Sequence, residues 1–228
     1  MSEIDFTPFW LSFKLASITT VILFIIAVPL SWWLSQTKNR IKPFIEALTA
    51  LPIVLPPSVI GFYILYALSF NSPLGKFFEQ TFGISLVFNF TGLVIASCFY
   101  SFPFMVQPLQ SGFESLSKNM IEASYLGGKS KSQTLFYVAL PNIKAALITA
   151  IIITFAHTVG EFGVVLMVGG SIPEETKVAS VAIYEFVETM DYSKAHIYSG
   201  IMIGLSFIIL LTVYTFNRKH NQRLGITP

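Results

Sequence analysis

Few residues in this chain of 228 could do covalent chemistry. The three histidines, His157, His196 and His220, are scattered and form no metal-ligand spacing. One cysteine, Cys98, excludes an internal disulfide and a cysteine-based zinc cluster. No nucleophile stands beside a base. Gly127-Gly128-Lys129-Ser130 resembles the tail of a phosphate-binding loop, but the first glycine of that pattern would fall at Ala123, and no strand precedes it. No ATP site is expected in this chain. The remaining candidates suit moving a solute rather than altering it. Glu161 lies between Gly160 and Gly163 and follows His157 by one helical turn, which would put the two side chains on one face. An ionisable group inside a membrane segment is costly and turns inward. The expected role of Glu161 is structural or gate-fixing, paired with His157 or a backbone donor. Pro52, Pro56 and Pro57 each remove a backbone donor and bend a helix. Such breaks are tolerated at membrane depth where they face protein or a wet cavity, so these prolines are candidates for lining a pathway, the alternative being a bend needed for packing.

The elements that must position these residues are membrane helices. The chain is 54% hydrophobic and 11% charged, with 22 phenylalanines and a mean hydropathy of +0.69. A soluble domain carries about 25% charged residues. This is the composition of an all-α integral membrane protein, and a net charge of +2 gives no reason to expect nucleic acid as a partner. Uncharged runs long enough to cross a bilayer predict five transmembrane spans in one domain, 1–228, at about 12–36, 46–70, 86–109, 140–160 and 196–217. The segment before the first span lacks the pattern of a cleaved signal. Between spans four and five, Gly169 to Pro173 reads as a turn and Val178 to Val187 as an amphipathic helix; a sixth, partial membrane element there is left open. Trp32 and Trp33 fall where an interfacial aromatic belt is expected.

Lysine and arginine fix the expected orientation. Lys38, Arg40 and Lys42, then Lys118, Lys129, Lys131 and Lys144, then Arg218, Lys219 and Arg223 lie on one side, against Lys14, Lys76, Lys177 and Lys194 on the other. The richer side is cytoplasmic, so the N-terminus is expected outside and the C-terminus inside. No lysine or arginine lies mid-span, so no guanidinium fork stands along a pathway to hold an anionic solute tightly.

The longest central polar interval, 113–137, carries its own signals. Ser115 or Ser117 can cap a helix over Lys118 to Leu126, Gly127-Gly128 ends it, and a second helix begins at Ser130 or Ser132 and runs toward Leu140, with Pro141 at the start of the fourth span. Physics alone leaves this open between a connecting loop and a docking knob. The series Glu122-Ala123-Ser124, three residues, Gly128, nine residues, Val138-Ala139-Leu140-Pro141 resembles the E-A-A…G…I-x-L-P loop of ABC importer permeases, with Ser124 for Ala and Val138 for Ile. Leu51-Pro52-Ile53-Val54-Leu55-Pro56-Pro57 with Gly61, Gly160-Glu161-Phe162-Gly163 and Ile172-Pro173-x-Glu175-Thr176 are similar to the molybdate permease branch, whose relatives carry tungstate, sulfate and thiosulfate. The resemblance implies a type I importer permease in the bacterial inner membrane. It implies coupling helices at Glu122, Ala123, Ser124, Gly127, Gly128, Leu140 and Pro141 that dock on cytoplasmic ABC ATPase subunits. It further implies a homodimer, a periplasmic or lipid-anchored oxyanion-binding protein, and ATP and Mg held by the ATPase, with no cofactor in this chain. An ion-gradient-driven transporter is the alternative class; it would be expected to show charged relays within spans and often an inverted repeat, and neither is visible.

Overall fold

The computed structural model describes residues 4–223, all helix and connecting loop. The chain opens with a helix, α1 (Thr7–Gln36), entered through Asp5, whose Oδ1 accepts from Thr7 N at 2.9 Å. That bonding by Thr7 holds the Asp5 carboxyl below its usual pKa. There follow α2 (Lys42–Val54), α3 (Pro57–Leu68), α4 (Pro73–Phe82) and α5 (Phe90–Glu114). The central loop holds α6 (Lys118–Leu126) and α7 (Lys131–Thr134), then a π-helical turn, Leu135–Ala139, and α8 (Leu140–Asn142). The chain finishes with α9 (Lys144–Val159), α10 (Gly163–Gly169), α11 (Ala179–Glu188) and α12 (Tyr192–Arg223). The side chains of Arg218, Lys219, His220 and Arg223, three of which entered the charge argument, lie outside the described residues, as does the C-terminus.

Among the described residues three helices are long and apolar enough to cross a membrane: α1, α5 and the Tyr192–Thr212 part of α12. Two bent pairs pass the same test together, α2 with α3 and Lys131–Asn142 with α9. The expected second span, 46–70, is therefore not one kinked helix. It is two helices at 110°. The break falls at Leu55-Pro56, because Pro56, Pro57 and the extended conformation that a following proline imposes on Leu55 leave no helical continuation. The helix α4 lies outside every expected element. Its start is fixed by Ser72, whose hydroxyl accepts from Gly75 N at 2.8 Å, and its end by Gly83 at φ 65°.

The cores follow α1 and α5. One cluster joins Leu23, Ala27 and Trp32 of α1, Met105, Leu109 and Phe113 of α5, Ala150 of α9, and Ile121, Leu135 and Ala139 of the central loop. Ser31 Oγ donates across this interface to the Val106 carbonyl at 3.1 Å. Trp32 is buried here, its ring edge-on to Phe113 at 5.2 Å, so it belongs to the core, and of this pair Trp33 alone is exposed. A second cluster joins Leu11 and Leu15 of α1, Leu93 of α5, Val165 of α10 and Val181 of α11.

Where α5 crosses α9, a Cβ at Gly112 would meet Ala146 Cβ at 2.5 Å. We expect G112L to force the two helices apart, at about 1–3 kcal/mol by the usual cost of overpacking, seen as a lower thermal midpoint in detergent and a smaller monodisperse peak on size exclusion.

Candidate functional site

The central loop folds as two elements tied together. Ile121 and Ser124 face the core while Glu122, Ala123, Tyr125 and Leu126 face out, with Leu126 90% exposed. The α6 terminus is a Schellman motif: Gly128 N donates to Tyr125 O at 2.9 Å, Lys129 N donates to Ser124 O at 3.1 Å, and Gly128 takes φ 80°. That conformation is the reason for glycine at 128. Ser130 then caps α7 in a reciprocal capping box with Gln133. Ser124, one of the two departures from the loop pattern, does structural work. Its Oγ donates to Ile121 O at 2.9 Å, so the 2.8 Å bond to Thr134 Oγ1 must take its proton from Thr134. Pro141 cannot donate to the carbonyl four residues back. The helix ahead of it widens into the π turn, in which Leu140 N donates to Leu135 O. Leu140 is half-buried against the core and Pro141 is exposed. The chain then turns by 83° into α9.

At the far end of α9 the second group converges. Pro57, Tyr100, His157, Gly160, Glu161 and Gly163 line one cavity of about 500 Å³. Gly163 is seated on Pro57, where a Cβ would come within 2.9 Å of the proline's, so backbone and ring pack with no room for a side chain. Pro52 lies within α2, and Pro56 caps α3; neither lines the cavity. The cavity wall carries no lysine or arginine.

The expected pairing of His157 with Glu161 does not occur. Helix α9 ends at Val159 with Gly160 as its cap, so the face shared at one-turn spacing is lost. His157 instead stacks on Phe104, centroids 3.8 Å apart, with Nδ1 3.1 Å from Ser101 Oγ. Ser101 also bonds Thr158 Oγ1 at 2.9 Å. Glu161 is 4% exposed, and among the described residues neither carboxyl oxygen makes a hydrogen bond of normal geometry. The Ser97 hydroxyl lies beside the carboxyl, likewise short of a hydrogen bond of normal geometry. The Glu161 backbone is tied down: its carbonyl accepts from Ser180 Oγ of α11. Ser101, Phe104 and Ser180 contact His157 and Glu161 and were not singled out from the sequence. Only their periodic polarity on α5 and α11 could have flagged the serines.

Apolar helices, with an exposed two-part loop at one end and a cavity at the other, are the architecture of a multi-span membrane protein. The chain belongs to the binding-protein-dependent transport system inner membrane component family, whose pattern it matches over residues 24–224. It is 45% identical over 219 residues to the molybdenum transport system permease protein ModB of Azotobacter vinelandii, covering 96% of both chains. It is 31% identical to a probable sulfate transport system permease protein of Chlorella vulgaris, covering 90% of this chain and 76% of that one. In fold it is similar to a chain of a bacterial ABC transporter that imports the acidic polysaccharide alginate, with a TM-score of 0.78 at 14% identity, over 96% of this chain and 80% of the other.

Removing the link between the two loop elements should loosen them without unfolding the spans. For S124A we expect a loss of about 1 kcal/mol, the net worth of a hydrogen bond, and faster amide exchange at Gln133 and Thr134 with α1 and α5 unchanged, measured by hydrogen–deuterium exchange.

Proposed function

We propose that this chain is the permease subunit of an ATP-driven importer of molybdate. The carrying observation is the 45% identity, end to end, with a molybdenum transport permease. On this reading α2 with α3 makes one span and α9 another, giving five with α1, α5 and α12, and the N-terminus lies outside while the C-terminus and central loop are cytoplasmic. The short α10 is a partial element at the outer end. Two copies associate, as two-fold closure is the common solution for a small subunit. The exposed face of α6, with Glu122, Ala123 and the turn at Gly127-Gly128, docks on a separate ATPase subunit that holds ATP and Mg; Leu140 and Pro141 join that docking unit to α9. This chain binds no cofactor. A binding protein outside the membrane supplies the affinity, which accords with the absence of cations from the cavity wall. The contact of Pro57 with Gly163 at the cavity wall is the gate, opened and closed as α3 and α10 part and close in alternating access. Glu161 fixes that gate through its backbone tie to α11, and His157 holds α9 to α5.

Sulfate is the second reading, favoured by the 31% relative that carries that name. Purified permease, ATPase and binding protein in liposomes should take up radiolabelled molybdate only with ATP, and sulfate competition should be weak. Uptake by the permease alone down an ion gradient would sink the importer reading, while sulfate uptake exceeding molybdate uptake would change only the substrate.

Two substitutions test the site. E122K or G128D should abolish copurification of the ATPase, and uptake with it, while the permease stays inserted in the membrane. G163V should leave the ATPase bound but lower uptake at least tenfold, since the new methyl groups meet Pro57 where the gate must close; normal uptake by G163V would remove Gly163 from the gate.

A further inference from the structure

The broken second span has a weak hold on the rest of the bundle. Thr49 is the one fully buried residue of α2, and among the described residues α5 is the only helix on which α2 rests to any extent. At its first turn, however, α2 is knotted to the last turn of α5. Lys42 Nζ lies 3.1 Å from Glu114 Oε1 and 3.6 Å from Glu46 Oε1. The Gln110 amide nitrogen donates to Glu114 Oε1 at 3.0 Å and to Glu46 Oε1 at 2.5 Å. One ammonium and one amide thus gather two carboxylates that would otherwise repel, and each partner on α2 meets a partner on α5. The knot edges a groove of about 270 Å³ whose wall also includes Thr49, Gln107 and Ser111. Its charged side chains are part-exposed, and surface ion pairs contribute only about 0–1 kcal/mol to stability. Stability is therefore a poor account of four groups converging at this point.

Position gives a better one. Glu114 is the last residue of α5, and only Ser115, Leu116 and Ser117 separate it from the docking helix α6. Lys42 is the first residue of α2, whose 13 residues span about 20 Å at the helical rise and end at the Leu55-Pro56 break. Beyond the break, Pro57 rests on Gly163 at the cavity. We propose that the Lys42–Glu114–Gln110–Glu46 knot is the relay that passes displacement of the α6 docking helix to the broken second span and so to the Pro57–Gly163 gate. These four are positioning residues; none touches substrate.

The proposal rests on the importer reading, and the test separates the two. Wild-type, K42E, E114K and the K42E/E114K swap are each assembled with ATPase and binding protein in liposomes. ATP hydrolysis and molybdate uptake are then measured on the same vesicles. Each single variant should keep its ATPase bound and hydrolysing within twofold of wild type while uptake per ATP falls at least tenfold. The swap, which restores opposite charges across the same gap, should recover at least half of the wild-type ratio. Singles that transport normally, or a swap that fails to rescue, would overturn the relay. Where a reversal variant fails to assemble, K42M and E114Q remove the charge without reversing it and are read the same way. Absence of ATP-dependent uptake by the wild-type assembly would instead remove the importer reading itself.

Discussion

Close packing of α1 on α5 is the contact from which the other elements take their places. Both helices are apolar on nearly every side, so there is no polar face to orient them and no hydrophobic drive to pair them within lipid. Association must come from van der Waals fit and a few interhelical hydrogen bonds. The residues present suit that. Ala16, Thr19, Ala27 and Ser31 on α1 and Ala96, Ser97, Ser101 and Gly112 on α5 are all small and buried, and Ser31 Oγ bonds the Val106 carbonyl from one helix to the other. Helix α9 completes the triangle by docking its Ala146 into the gap at Gly112. Any bulkier choice along this seam displaces everything that leans on it, including α10 and the root of the central loop.

That seam links the two regions of functional interest. The loop is rooted in the same cluster that joins α1, α5 and α9 through Ile121, Leu135 and Ala139. The cavity is walled by the opposite ends of α5 and α9, through Tyr100 and His157. A rigid three-helix seam between them transmits a tilt but not a change of shape. Change of shape is left to the places where the backbone is already broken: Leu55-Pro56, Ile143 and Gly160 to Phe162.

How much of this was legible in the sequence depended on whether the deciding forces were local. Helix α6 could be read with both boundaries: Gly127-Gly128 acts within a few residues of itself, and Ser117 takes the N-cap position, although its side chain makes no capping bond there. The proline break could be located but not measured: its 110° angle depends on how α3 packs against α10, which is a tertiary matter. Helix α4 carried readable signals in Ser72-Pro73 and Gly83, but its charges, Lys76 and Glu79, disguised it as a loop when spans were sought by lack of charge. The pairing of His157 with Glu161 failed for a related reason. One-turn spacing implies a shared face only if the helix continues, and Gly160 ends it. Of the residues singled out from the sequence, Pro57, His157, Gly160, Glu161 and Gly163 wall one cavity, and no sequence spacing brings Pro57 to the other four.

Helix α12 stands apart from the seam. It is attached near its start, where Tyr198 donates to the Asp5 carbonyl at 2.6 Å and its ring packs on Phe9, while only 11% of its apolar window is buried within the chain. Its apolar stretch has 21 residues, about 31 Å of helix, against a hydrocarbon core of about 30 Å. With so little held by other helices, the depth of α12 is set by the match between its length and the bilayer. That match makes α12 the waterline of the subunit, the element whose length sets the height at which the bundle rides.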